Sequence, residues 1–370
     1  MKKADIKTIL VPIDFSKLSA PAIQVAKDLA RKFDASIHLG HVHEFLYAPG
    51  LLSPVPISVA TFRDDAAIRR TSRLKILAKQ NGLAAENCHF MTGVPTFNEI
   101  CNLGRQISAD LIVMPTHGYT GMAHFLGGST AERIVQHSPC PVLVVRGNGR
   151  KPSSAARNGT ALRRIDTILV PVDFSEASFQ ALEYAIEFAE RVAARLIVFH
   201  AVTLSDSFTA DGYGMYDLGA LEEAARRDAE NQMQKFIGLA KFHRVQFETA
   251  VRIAPAVSEV CALAQERDVD LIITATHGRT GLKHLLMGSI AEHVVRHAPR
   301  TVLVVPSHPE LRSARLTNKT LPAARPRRPR AAGGLLPDVG ETLTKKSRKL
   351  LAHLPPERRK TNRFRESHAL

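Results

Sequence analysis

Cysteine is scarce. The four in 370 residues are Cys88, Cys101, Cys140 and Cys261, and no two stand in CxxC spacing. A disulfide framework and a zinc site built on paired cysteines are therefore not expected. A reducing cytoplasm is the expected compartment. Long apolar runs are also missing. LLSPVPISVA and CPVLVV are short or broken by proline, well below the roughly 20 residues of a spanning helix, so no transmembrane segment is expected. The apolar stretch of MKKADIKTILVPID ends at Asp14, which predicts a first strand rather than a signal peptide. The chain has no GxxxxGKS/T loop, no GxGxxG after its first strand and no GxSxG elbow. No nucleophile, base and orienting group can be assembled from it, so an efficient enzyme is not expected.

Acidic residues are missing where basic ones gather. Residues 307–370 hold 16 Lys/Arg against 5 Asp/Glu, so +11 of the chain's formal +15 lies in this tail and the rest is near neutral. Arginine, proline and small residues oppose a packed core there, and LTKKSRKLLAHL has the makings of one short basic helix. The tail suits contact with nucleic acid, acidic partners or an anionic surface through unspecific charge, and equally a solvated extension without a partner. Its only aromatic residue is Phe364, which gives base stacking little support.

What the chain has in quantity is repetition. ILVPIDFS (9–16) returns as ILVPVDFS (168–175), SADLIVMPTHG (108–118) as DVDLIITATHG (268–278), and PVLVV (141–145) as TVLVV (301–305). An offset of 159 or 160 residues throughout means two copies of a whole domain rather than a solenoid. The expected division is a first domain at 1–146, a flexible linker at 147–164, a second domain at 165–306 and the basic tail at 307–370. The linker holds Gly, Ser, Pro, Asn and basic residues and no acid.

Each copy alternates strands with helices. In the first, TILVPI predicts a strand and SAPAIQVAKDLARKF (19–33) an amphipathic helix. SIHLGHV (36–42), ENCHFMT, DLIVM and PVLVV are further strands, with helices at 61–80, 96–108 and STAERIVQHS. The fold class is α/β, two tandem doubly wound five-stranded parallel sheets. Runs such as LIVM and VLVV fit strands covered on both faces. Ligands of such sheets sit beyond the carboxyl ends of the strands, where strand order reverses. Asp14, Thr116, His117 and Gly118 lie at such ends, as do Asp173, Thr276, His277 and Gly278.

The loop THGYTGMAHFLGGST (116–130) and its twin THGRTGLKHLLMGSI (276–290) admit two readings. Glycine and a following helix start can cradle phosphate on backbone N–H groups, with Gly128, Ser129 and Thr130, or Gly288 and Ser289, closing the cradle. Alternatively, Ser129-x-x-Glu132 and Ser289-x-x-Glu292 are capping boxes that satisfy the same N–H groups internally. His117 and His277 are expected to bond neighbouring backbone. The pair His41-x-His43 lacks a third metal ligand, and the second copy has His200-x-Val202. Cys101 and Cys261 occupy core spacing.

These motifs, in this order and spacing, make both copies resemble the universal stress protein family. The resemblance covers about 1–146 and 165–306. It implies a Rossmann-like, adenine nucleotide alpha hydrolase-like sheet and a role as an ATP-binding module, with or without Mg²⁺, in stress response. It also implies pairing through the last strands, either between the two domains of one chain as a pseudo-dimer or in a homodimer. The family's nucleotide pattern, Gly, two residues, Gly, nine residues, then Gly-Ser/Thr, falls on Gly118, Gly128 and Ser129, and on Gly278, Gly288 and Ser289. Its first glycine is replaced by Pro115 and Ala275. Proline loses a donor and fixes φ, so the second copy is the closer match. The resemblance places Asp14 and Asp173 at the nucleoside, and the backbone of Val42 and Ala201 at the adenine. Slow ATP hydrolysis, or autophosphorylation at Ser129 or Ser289, is a family-level expectation. The alternative is an interaction protein of the same fold that binds no nucleotide and works through its pseudo-dimer surface and tail.

Overall fold

β-branched runs alternate with helices in both repeats. The computed structural model describes residues 4–44, 59–115, 130–146, 165–203, 218–277 and 288–307. Thr116, His117, Gly118, Gly128, Ser129 and Gly278 lie outside the described residues, as do the linker and the tail beyond Ser307. The first repeat runs β1 (Thr8–Pro12), α1 (Ser19–Phe33), β2 (Ser36–His43), α2 (Val59–Gln80), β3 (Cys88–Thr92), α3 (Thr96–Gln106), β4 (Leu111–Pro115), α4 (Thr130–His137) and β5 (Val142–Val145). The second runs β6 (Thr167–Pro171), α5 (Glu176–Val192), β7 (Arg195–Val202), α6 (Leu218–Gly238), β8 (Phe247–Ile253), α7 (Ala256–Glu266), β9 (Leu271–Ala275), α8 (Ser289–His297) and β10 (Thr301–Val305). None of the described helices is long and apolar enough to cross a membrane.

Each repeat is a five-stranded parallel sheet, and the two join into one ten-stranded sheet of order β3-β2-β1-β4-β5-β10-β9-β6-β7-β8. Successive strand residues face opposite sides, and both sides are covered. Ile9, Val11, Leu111 and Val113 pack with α1 and α5 in one core. Leu10, Ile112 and Met114 pack with residues of α3, α4, α7 and α8 in the other. This double burial explains why LIVM and VLVV show no polar alternation. The aspartate ahead of each inner strand is a tie at its amino end. Asp110 Oδ2 accepts the N–H groups of Lys7 and Thr8 at 2.9 and 3.1 Å, and Asp270 Oδ2 accepts those of Asp166 and Thr167 at 2.9 and 3.0 Å.

The seam between repeats is antiparallel, with Val302 opposite Val144, Leu303 opposite Leu143 and Val304 opposite Val142. Contacts cross it on both faces. Phe33 of α1 meets Phe188 of α5 with ring centroids 5.4 Å apart. On the other face Arg296 of α8 reaches Glu132 of α4 at 3.2 Å and Glu292 at 2.7 Å. This corrects the capping-box expectation for the second repeat. Gly288, at φ −58° and ψ 140°, is the N-cap of α8. The carboxylate of Glu292 turns to the seam, where it pairs with Arg296.

The three side chains of this cluster are 21%, 11% and 28% exposed, so the pairing is mostly shielded from solvent. Arg296→Met leaves two carboxylates without this cation and is expected to cost about 2 kcal/mol, read from urea midpoints. Adding Glu132→Gln should recover part of that loss. Equal midpoints for wild type and Arg296→Met would show that the cluster contributes nothing to the seam.

Candidate functional site

Both first strands end in Asp-Phe-Ser, and the turn they make is unusual. Phe15 and Phe174 have φ of 59° and 62°, a left-handed conformation that costs an L-residue roughly 1–2 kcal/mol. The preceding aspartate holds the turn. Asp14 Oδ1 accepts from Ser16 N–H at 2.9 Å and from Ser19 Oγ at 2.8 Å. Asp173 Oδ1 accepts from Ser175 N–H at 3.1 Å and Ser175 Oγ at 2.6 Å. Ser175 in turn caps α5 by accepting from Ser178 N–H at 3.2 Å. Burial works against ionisation of Asp14, but the Ser16 and Ser19 hydrogen bonds outweigh it and hold its carboxyl below the ordinary value. Its Oδ2 is buried and accepts no hydrogen bond among the described residues.

The turned phenylalanine packs on a histidine of the second strand. The rings of Phe15 and His41 are 4.6 Å apart, those of Phe174 and His200 4.2 Å. Each imidazole donates Nδ1–H to a backbone carbonyl, His41 to Ile13 and His200 to Val172, both at 2.7 Å. A carbonyl can only accept, so the bond fixes the tautomer and leaves Nε2 as an acceptor. Burial, and then the nearby Arg70 and His43, keep the pKa of His41 below the usual histidine value. His43 accepts from Arg70 of α2. The second-strand histidine is thus a structural tether in both repeats, with no sequence signal beyond its repetition.

In the second repeat these elements wall a cavity of about 420 Å³ at the carboxyl ends of β6, β7 and β9, within the size range of small-molecule sites. Of the residues singled out from the sequence, Asp173, Ala201, Ala275, His277 and Gly288 line it. Thr276 does not. It is 1% exposed, and its Oγ1 lies 2.8 Å from Ser307 Oγ, accepts Ser307 N–H at 3.1 Å and sits 2.9 Å from His277 Nδ1. His277 Nδ1 is also 3.2 Å from Ser307 Oγ. Thr276 and Ser307 therefore orient His277 from behind. Ser307, just past the last strand, carried no sequence signal of its own.

Gly288 N–H bonds the carbonyl of Thr276 at 2.8 Å, pinning the two ends of the loop together. The next N–H groups, at the start of α8, have no intrahelical partner by helix geometry, and Ile290 and Ala291 of that first turn line the cavity. In the first repeat, Val42 is half-buried in β2 opposite Met91, Pro115 ends β4 opposite Val145, and Thr130 is exposed at the first position of α4. Cys101 is buried in the core and its thiol is pushed up to about 11 by burial.

The sequence profile of the Universal stress protein family matches residues 5–146 and again 164–306. A universal stress protein of Methanocaldococcus jannaschii is 29% identical over 153 residues, 41% of this chain and 88% of the relative. One of Bacillus subtilis is 32% identical over 146 residues, 37% of this chain and 97% of the relative. The crystal structure of a universal stress protein from Archaeoglobus fulgidus covers 83% of this chain and 99% of its own. Its TM-score of 0.53 at 19% identity marks a likeness of fold. With both repeats matched over nearly their whole length, the chain belongs to the universal stress protein family as a tandem, two-domain member.

Proposed function

We propose that the second-repeat cavity binds an adenine nucleotide, ATP in particular, and that the chain is a nucleotide-responsive binding module rather than a metabolic enzyme. The observation that carries this is convergence. Asp173, Ala201, His277 and Gly288 are up to 115 residues apart in sequence and line one cavity. The apolar wall of Val172, Ala201 and Val260 suits a flat base. Asp173 stands where a carboxylate can accept from ribose hydroxyls. The start of α8 offers N–H groups and a positive dipole end to phosphate. Mg²⁺ would travel with the phosphates, since magnesium is commonly held by phosphate oxygens and water.

The first repeat supports the same chemistry less fully. Among the described residues the buried Asp14 Oδ2 accepts no hydrogen bond, which favours a ligand carrying a donor there. Pro115 ends the neighbouring strand, so the second repeat is the stronger site. The paired last strands favour a pseudo-dimer complete within one chain.

Titration of the purified chain with ATP and Mg²⁺ by calorimetry tests the proposal. Saturable heat near one equivalent is expected. No heat at millimolar ATP would overturn the nucleotide reading and favour the interaction-protein alternative.

A further inference from the structure

Two histidines line the second-repeat cavity, and their rings are held differently. His200 sets Nδ1 against the carbonyl of Val172, which can only accept. His277 sets Nδ1 against two hydroxyls, Thr276 Oγ1 at 2.9 Å and Ser307 Oγ at 3.2 Å. A hydroxyl gives a proton as readily as it takes one. Resting on the nucleotide reading of this cavity, we propose that Thr276 and Ser307 hold His277 as the tautomer with its proton on Nε2, and that the imidazole donates this proton in a hydrogen bond to a phosphate oxygen of the nucleotide.

The tautomer follows from a count of protons. Thr276 Oγ1, Ser307 Oγ and His277 Nδ1 form a closed triangle, whose third side is the 2.8 Å between the hydroxyls. Thr276 Oγ1 also accepts the N–H of Ser307 at 3.1 Å. A protonated Nδ1 accepts nothing, so the two hydroxyls would have only each other as acceptors. One O···O contact holds one proton, and the second hydroxyl proton would have no place in the triangle. With Nδ1 bare, one hydroxyl donates to it and the other hydroxyl donates to the first. Every proton is then placed within the cluster, as suits a group built on Thr276, which is 1% exposed. The proton of the neutral ring is left on Nε2.

The place of this donor selects the part of the ligand. His277 follows β9, and the carbonyl of Thr276 accepts the N–H of Gly288, the N-cap of α8. Asp173 and Ala201 come from the ends of β6 and β7 instead. His277 thus stands where the nucleotide reading sets the phosphates. Ionised phosphate oxygens accept hydrogen bonds, so an Nε2–H meets one, whereas an Nε2 lone pair would oppose it.

The first repeat differs at this point. It repeats Thr-His as Thr116-His117, but Gly147 stands at the position of Ser307. By sequence that copy has one hydroxyl fewer to hold the ring. The difference has the same direction as Pro115 and makes the second repeat the more complete site.

Two measurements on the full chain test this. With isotope-labelled histidine, long-range proton–nitrogen NMR correlations report which ring nitrogen of His277 carries the proton, and loss of signals in His277→Gln assigns them. Wild type should carry it on Nε2, and Thr276→Val/Ser307→Ala should lose that preference. A proton on Nδ1 in wild type would overturn the inference. Calorimetry with ATP and with adenosine is the second measurement. ATP affinity should fall roughly tenfold or more in His277→Phe and in the double variant. His277→Gln, whose amide N–H can take the place of Nε2–H, should stay within about threefold of wild type. Adenosine affinity should be the same throughout. If the double variant does not fold, the two His277 variants carry the comparison. Equal ATP affinity in wild type and His277→Phe, or equal losses for ATP and adenosine, would overturn the phosphate contact and leave the nucleotide reading standing. No ATP heat from wild type would overturn that reading, and this role of His277 with it.

Discussion

Leu303→Asp is expected to abolish the native state at neutral pH. Leu303 sits on the middle rung of the β5–β10 seam, opposite Leu143. It is 0% exposed, Leu143 is 1% exposed, and both belong to the core that holds Phe33 and Phe188. An aspartate there forfeits about 2–5 kcal/mol of leucine packing and adds a desolvation penalty of several kcal/mol for its carboxylate. The sum rivals the roughly 5–15 kcal/mol of an ordinary folded domain. The sign with pH follows. Burial raises the folded-state pKa of the introduced carboxyl above its unfolded value of about 3.9. The charge penalty is absent below the unfolded pKa and grows as pH rises toward the folded one. Urea unfolding followed by circular dichroism should therefore show the greatest loss at pH 7 and partial recovery near pH 4, with Leu303→Ala intermediate at about 2–5 kcal/mol. A wild-type midpoint for Leu303→Asp at pH 7 would mean that the two repeats do not share this seam.

The seam marks where sequence patterning stops being informative. Strand and helix order was legible because apolar runs and helical spacing are local signals, and SAPAIQVAKDLARKF matches α1 (Ser19–Phe33) from end to end. The pairing of β5 with β10 had no local signal, since VLVV buried against its own repeat reads the same as VLVV buried against its twin. It was expected from the family resemblance alone. The helix start at α8 went the other way. Ser-x-x-Glu is a short pattern with a strong local meaning, but here Arg296, one turn on in the same helix, pairs with the glutamate while also reaching Glu132 across the seam, and Gly288 stands at the N-cap.

The candidate site divides similarly. Asp173, His277 and Gly288 could be named from motif and topology, because a doubly wound sheet gathers its strand ends, whereas Ala201 came from the family resemblance alone. The direction each side chain takes could not. Thr276 and His277 are adjacent, yet one is buried against Ser307 and the other lines the cavity. The left-handed Phe174 and its histidine partner His200 were invisible, because only the folded register brings a strand end beside its neighbour.

Gly288→Val should remove ATP binding while leaving the fold intact. The backbone of Gly288 has φ −58° and ψ 140°, a conformation open to any L-residue, so no strain accompanies the side chain. The bond from its N–H to Thr276 is a backbone interaction and survives the substitution. What changes is the wall. Gly288 lines the cavity between His277 and the first turn of α8, and a branched side chain there would occupy the approach to the helix's N–H groups. Since a phosphate held by a helix start needs close backbone approach, affinity should fall roughly a hundredfold or more, about 2.7 kcal/mol, while the poorer N-cap lowers the melting temperature by only a few degrees. Gly128→Val in the first repeat is the matched comparison. It should leave the calorimetric heat largely as in wild type, because Pro115 already departs from the glycine pattern there. Wild-type affinity in Gly288→Val would exclude the second-repeat cavity as the phosphate site. Loss of heat in Gly128→Val alone would transfer the site to the first repeat, where Oδ2 of Asp14, which accepts no hydrogen bond among the described residues, would then be the acceptor that matters.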